Sequence, residues 1–331
     1  MKKYLTALFA VLLALSLFSC SASPTAIKVG SSKVDASEYA YYLNYNRLNL
    51  DSQSTGTLVL NEDELLAQAR EKAKEHIITA EIVRMKCKEL DLKLSDEQKS
   101  QIKEAKDDMI DSFGGLSGYL DYLKSNYLTD RLYDKLQENS YYYSMLYEYI
   151  AANPDSGIST DQELRQYFSE NYIKVKYIRF NTTDETGSPL PEEELKGLLE
   201  TANSVLTQIN KGDLTFDAAM SQYNDVNAIS ENASGIVVSA QDGTAIEYIT
   251  DAFALTDGQC GGVYTYSDGY YILLRQPVDA GYYDENREQI VHTASDWAFN
   301  NYVASAKASL TITVNKVCQK INFENLKDYV K

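Results

Sequence analysis

Histidine is the scarcest chemistry-bearing residue in this chain of 331 residues, present only as His76 and His292. Two imidazoles so far apart leave histidine-based metal chemistry poorly supplied. His76 reads as a packing or solvated residue at the edge of a helix face, and His292 reads the same way near Trp297. Cysteine occurs four times, at Cys20, Cys87, Cys260 and Cys318, with no Cys-x-x-Cys and no zinc spacing. Setting Cys20 aside leaves an odd three, so at most one disulfide can form, and the sequence leaves its partners open. Cys260, in Gly-Gln-Cys-Gly-Gly, reads as a turn residue rather than a reactive thiol. Basic charge is also short: 31 Lys and Arg face 48 Asp and Glu, a net charge of −17. That balance argues against nucleic acid or an anionic lipid surface as the ligand. There is no internal repeat and no low-complexity tract.

What is present begins with Lys2-Lys3 and an apolar run from Leu5 to Phe18. The run falls short of the roughly 20 residues a bilayer-spanning helix needs, but it suits the core of a secretory signal over residues 1–20. It ends in Leu-Phe-Ser-Cys, which resembles the bacterial lipobox and implies lipid attachment at Cys20. More than one acyl chain there would give stable anchoring to the outer face of the cell membrane. Losing Lys2 and Lys3 with the leader lowers the net charge of −17 by two, to −19. Tyrosine is abundant, 27 residues against 9 Phe. Rings with a polar tip suit half-exposed grooves and interfaces as well as helix faces.

Residues 21–170 read as mostly helical after a small β element at Ile27–Val34. Four capping-box signatures mark helix starts, at Asp35–Glu38, Asn61–Glu64, Ser95–Gln98 and Thr160–Glu163. Between them Leu66, Ala69, Ala73, Ile77 and Ala80 recur at helical spacing. Gly114, Gly115 and Gly118 interrupt the pattern, and a Tyr- and Leu-rich helix follows from about 128. The texture changes at Tyr172. A strand (Ile173–Phe180), a helix (Glu192–Asn210) stopped by Gly212, a short helix (Phe216–Tyr223) and a strand (Gly235–Ser239) come next. A short helix (Tyr248–Leu255) and a hairpin (Gly262–Thr265, Tyr270–Gln276) complete the series. Asp268-Gly269 marks the hairpin turn, where glycine would supply a positive φ. Glu192-Glu193-Glu194 reads as an acidic first helical turn, not a paired catalytic acid. A last helix runs from about Asp284 to Ala308, with a strand-like patch at Thr311–Val314. The fold class is α+β.

Phe216–Asp225 (FDAAMSQYND), Asp251–Leu255 (DAFAL), Gly258 and the string DGYYILLR from Asp268, in this order, resemble a parvulin-type peptidyl-prolyl isomerase domain. That resemblance covers residues 171–278. The whole chain is similar to the PrsA-like lipoprotein foldases and SurA-type chaperones. It implies a helical chaperone domain made of residues 21–170 and 279–331, with a four-stranded antiparallel sheet and its helices inserted between them. By the same resemblance Tyr177 and Tyr271 stand at the two histidine positions; just after Asp225, where many members carry a cysteine or an acid, stands Val226, which leaves Asp225 as the candidate acid of that neighbourhood. Tyr248 replaces the phenylalanine lining the proline pocket, supported by Tyr223 and Phe253. No cofactor or metal is implied. The implied partners are unfolded or newly secreted polypeptides and, through the lipid, the membrane; a homodimer is left open.

Isomerising an X-Pro bond takes no nucleophile, only a site that binds the twisted amide better than the planar one. Tyrosine offers a neutral hydroxyl that could keep part of a hydrogen-bond network, or a larger ring that fills the pocket. The reading is therefore a tethered chaperone whose insert binds or scaffolds with weak or absent catalysis. An active isomerase and a solute-binding lipoprotein are the alternatives; the second requires two similar α/β lobes, and only one such segment exists.

Overall fold

The computed structural model describes residues 23–53, 60–152, 158, 160–184, 186–224, 232–244 and 246–330. Cys20 with the residues before it, and Asp225 with Val226, lie outside the described residues. The chain divides into two compact units, Met1–Tyr149 with Phe299–Lys331, and Ile150–Ala298. The second is larger than residues 171–278, because Leu164, Tyr167, Tyr172, Tyr283, Ile290 and Ala294 form one buried cluster. That cluster draws the helix before the first strand, and the start of the last helix, onto the sheet unit.

In the discontinuous unit, β1 (Thr25–Val29) and β2 (Ser32–Asp35) form a hairpin, and β7 (Ile312–Val314) pairs with β1 antiparallel, Ile27 opposite Val314. The sheet order is β2-β1-β7. Helices α1 (Ala36–Gln53), α2 (Glu62–Glu89), α3 (Asp96–Ser112), α4 (Leu116–Ser125) and α5 (Asp130–Ala152) follow β2. Helix α1 buries one face completely: Ala36, Tyr39, Ala40, Leu43 and Asn46 see no solvent or almost none, while Tyr45 and Leu48 on the other side stay exposed. Arg70 of α2 donates to the carbonyls of Gln319 and Ile321, which fastens the C-terminal segment.

Three of the four capping signatures close as reciprocal boxes, at Asn61/Glu64, Ser95/Gln98 and Thr160/Glu163. The fourth is half made. Asp35 accepts from the amides of Ser37 and Glu38, both at 3.1 Å, but the Glu38 carboxylate turns inward. There Lys135 Nζ donates to both Glu38 oxygens (2.8 and 2.7 Å) and to Glu81 Oε1 (2.6 Å). Ser32 Oγ also donates to Glu81. Two buried carboxylates thus share one ammonium. Gly118, expected to interrupt a helix, instead lies inside α4.

In the sheet unit, α6 (Asp161–Asn171) leads into β3 (Tyr172–Asn181), followed by α7 (Glu192–Lys211), α8 (Phe216–Tyr223) and β4 (Ile236–Ser239). Then come α9 (Ile249–Phe253), β5 (Cys260–Thr265), β6 (Gly269–Gln276), α10 (Tyr282–Glu285) and α11 (Arg287–Ser309). The four strands form an antiparallel sheet in the order β4-β3-β6-β5. Strand alternation sorts the core into two layers. Val175, Tyr177, Tyr271 and Leu273 face α9, whereas Ile178, Phe180 and Ile272 face α7 and α8. Gly212 closes α7 in the left-handed region at φ 79°. Gly269 serves a different purpose from the one expected: it is not among the glycines with positive φ. A Cβ there would sit 2.8 Å from the Phe180 carbonyl oxygen, so glycine is needed for close strand approach.

Candidate functional site

The α9-facing layer gathers an aromatic cluster around the two positions singled out in the sequence. Tyr177 on β3 and Tyr271 on β6 are diagonal neighbours, since Tyr177 pairs with Leu273 and Arg179 with Tyr271. Their ring centroids lie 5.3 Å apart. Tyr248, just before α9, completes a triangle at 5.7 Å from Tyr177 and 6.0 Å from Tyr271. Tyr266, in the β5–β6 turn, meets Tyr271 edge-on at 5.3 Å, and Phe253 packs against the same cluster. Tyr223 is not part of it. Its ring rests on Phe180 at 5.1 Å, in the layer across the sheet, because residues 177 and 180 of one strand point to opposite faces.

The hydroxyls of this cluster are engaged with carboxylates. Tyr271 donates to Asp268, 3.0 and 3.1 Å from its two oxygens, and Arg179 donates to Asp268 Oδ2 at 3.2 Å. Tyr266 donates to Asp251 Oδ2 at 2.6 Å. Burial, and then the Asp268 charge, push the Tyr271 phenol well above its ordinary value. Burial and the Asp251 hydrogen bond do the same to Tyr266. Burial, with a smaller contribution from Tyr177, raises Tyr248 to about 12. These three phenols therefore stay protonated through the neutral range. Each hydroxyl has a single proton, so the protons of Tyr266 and Tyr271 already have acceptors.

Two residues that sequence reasoning missed hold the edge of β3 beside this cluster. Asn232, fully buried, accepts from the Tyr177 amide (3.3 Å) and donates to the Tyr177 carbonyl (2.6 Å). Asn224 donates to that same carbonyl (3.0 Å) and accepts from the Arg179 amide (2.7 Å). Strand β4 pairs only with Tyr172–Val175, so these amide side chains take the ladder positions a further strand would occupy. No local sequence signal separates them from the other asparagines. Arg275, also missed, donates to the carbonyls of Leu255 (2.8 Å) and Phe253 (3.3 Å), capping the end of α9.

Elsewhere, His76 sits between Tyr42 and Tyr45 with its Nδ1 3.1 Å from Asn46 Nδ2, and His292 pairs with Asp296 one helical turn away. Cys87, Cys260 and Cys318 are free thiols, each raised to about 11 by burial, which keeps them unreactive near neutrality.

The architecture is that of a helical unit with N- and C-terminal contributions and an inserted four-stranded antiparallel sheet unit. Among solved structures the chain is similar to the peptidylprolyl isomerase PrsA of Bacillus anthracis, at 17% identity and a TM-score of 0.36, covering 70% of this chain and 93% of that one. It is also similar to the foldase protein PrsA of Streptococcus pneumoniae, at 18% identity and a TM-score of 0.31, covering 81% and 96%. A third similar structure is a SurA-like chaperone of Campylobacter jejuni, at 11% identity and a TM-score of 0.30, covering 89% and 100%. No protein family model and no curated protein matches the sequence. Among the described residues, no helix is long and apolar enough to cross a membrane.

Proposed function

We infer that the protein is an extracytoplasmic chaperone of newly exported chains, anchored by lipid at Cys20 to the outer face of the bacterial cell membrane. In this reading the helical unit engages clients and the inserted unit binds or scaffolds, with prolyl isomerisation weak or absent. One observation carries the catalytic part. Tyr177 and Tyr271 occupy their positions as packed rings, each only 6% exposed, with the Tyr271 hydroxyl donating a hydrogen bond to Asp268. Lowering a barrier of roughly 18–20 kcal/mol requires an open, dry cradle and donors aimed at the twisted amide. Rings packed at 5.3 Å leave little room for a proline ring between them. Tyr248 and Phe253, both partly buried, are the surface on which an apolar client side chain would rest. Tyr223, on the opposite layer, acts here as core packing. Asp225 keeps only the role its position in the parvulin-like string suggests, that of a candidate acid.

A proline-limited refolding assay tests the reading. The full chain without its leader is expected to leave the slow, proline-limited phase of a client unchanged while suppressing that client's aggregation. Acceleration of the slow phase that Tyr271→Ala abolishes would establish the active-isomerase alternative. Absence of any aggregation suppression would remove the chaperone.

A further inference from the structure

The α3–α4 turn carries apolar side chains that the fold does not use. In α4, Tyr119 and Leu123 are buried one turn apart against Leu128, Leu132 and Tyr133. Leu116 and Leu120, also one turn apart, stay exposed at 60% and 48%, and Phe113 in the turn is 40% exposed. The turn is held in one shape. A side chain at Gly118 would run into the Phe113 carbonyl oxygen at 1.9 Å, so glycine lets the turn fold back onto the helix. Phe113 is thereby stacked on Tyr122, with centroids 4.5 Å apart. Tyr122 and Tyr41 lean on the same buried cluster, and Tyr41 stacks on Tyr45, which is 43% exposed. An aromatic track thus continues from the turn onto α1.

The charge around the turn is predominantly acidic. Between residues 107 and 124 four acids, Asp107, Asp108, Asp111 and Asp121, stand against one base, Lys124 at the end of α4. All four are exposed. Lys103 pairs with Asp107. We propose that this turn is a docking surface for client segments that combine leucine or aromatic residues with lysine or arginine. The proposal rests on the chaperone reading above and names the kind of segment it takes. An apolar patch rimmed by acids repels an anionic lipid surface. It also repels a second copy of a chain with a net charge of −17, whereas a cationic, apolar segment gains both burial and attraction.

The test is titration of short labelled peptides against the full chain without its leader, with leucine and phenylalanine interspersed by lysine or by glutamate. The lysine peptide is expected to bind more tightly, and the preference to shrink as salt rises. Leu116→Ser with Leu120→Ser is expected to weaken that binding about tenfold, with circular dichroism unchanged because both side chains lie outside the core. Asp108→Asn, Asp111→Asn and Asp121→Asn together are expected to abolish the preference for the lysine peptide while retaining binding to both. Unchanged binding in the leucine variant, or preference for the glutamate peptide, overturns the proposal. So does a self-association, or adhesion to anionic vesicles, that the leucine variant abolishes. If peptide binding misses this turn while aggregation suppression persists, the surface is wrong and the chaperone reading stands; loss of both removes the reading itself.

Discussion

Lys135→Met is expected to cost about 3–5 kcal/mol of folding free energy at neutral pH, because it strands two buried carboxylates without a counter-charge. Glu38 and Glu81 side chains are 8% and 6% exposed, and Lys135 bridges both. Glu38→Gln should behave oppositely, staying within about 1 kcal/mol of the parent, since it leaves Lys135 and Glu81 as a one-to-one pair. The pH dependence has a definite sign. Burial raises the Glu38 carboxyl above its ordinary 4.5, against the attraction of Lys135. The folded chain therefore holds that proton more tightly than the unfolded chain. Its contribution to stability is fully present below about pH 4.5 and is lost as pH rises through the raised value. The Lys135→Met deficit should accordingly be larger at pH 8 than at pH 5, read by urea denaturation followed through helical circular dichroism. Trp297, the chain's sole tryptophan, packs on Tyr167 in the other unit and supplies an internal control. Equal deficits at both pH values, or a Glu38→Gln variant as damaged as Lys135→Met, would show that the ammonium does not offset these charges.

The second large effect is expected at Asn232. Replacing it by Ala leaves the buried Tyr177 amide without its acceptor, a loss of about 1–3 kcal/mol. The Tyr177 carbonyl keeps Asn224 as donor, so the single variant is cushioned there. Asn224→Ala combined with Asn232→Ala removes both donors and should cost more than the two single losses added together. Trp297 fluorescence through urea unfolding measures this in the sheet unit. Strict additivity would mean the two amides do not share the carbonyl's burden.

Much of the fold was legible wherever its cause is local. The boxes at Asn61, Ser95 and Thr160 need only a residue three positions on, and each closes as read. Asp35 shows the limit of that logic, since Glu38 has a better partner in Lys135, far along the chain. Both strand patches, near residue 27 and near residue 312, could be seen, but nothing in either announces that they pair. Adjacent tyrosines at 270 and 271 necessarily face opposite layers, which period-two alternation makes plain. The side of the sheet that Tyr223 takes depends instead on how α8 packs, and no alternation within a helix encodes that. Asn224 and Asn232 were invisible for a related reason: their value comes from an edge left open by a short neighbouring strand.

The pairing of Ile27 with Val314 carries a consequence for how the protein is made. A polypeptide leaves the ribosome amino end first, so β1 is delivered early and waits for a partner near residue 312. Until then its outer edge is an open template for stray strands. The strands at 172–276, by contrast, are all available well before the last segment arrives. Because strands within 172–276 are much closer along the chain than Ile27 and Val314, refolding from denaturant should show the Trp297 signal recovering ahead of the closure between β1 and β7. The three-stranded sheet that joins the two ends of the chain is, by its topology, the last part of the fold to be completed.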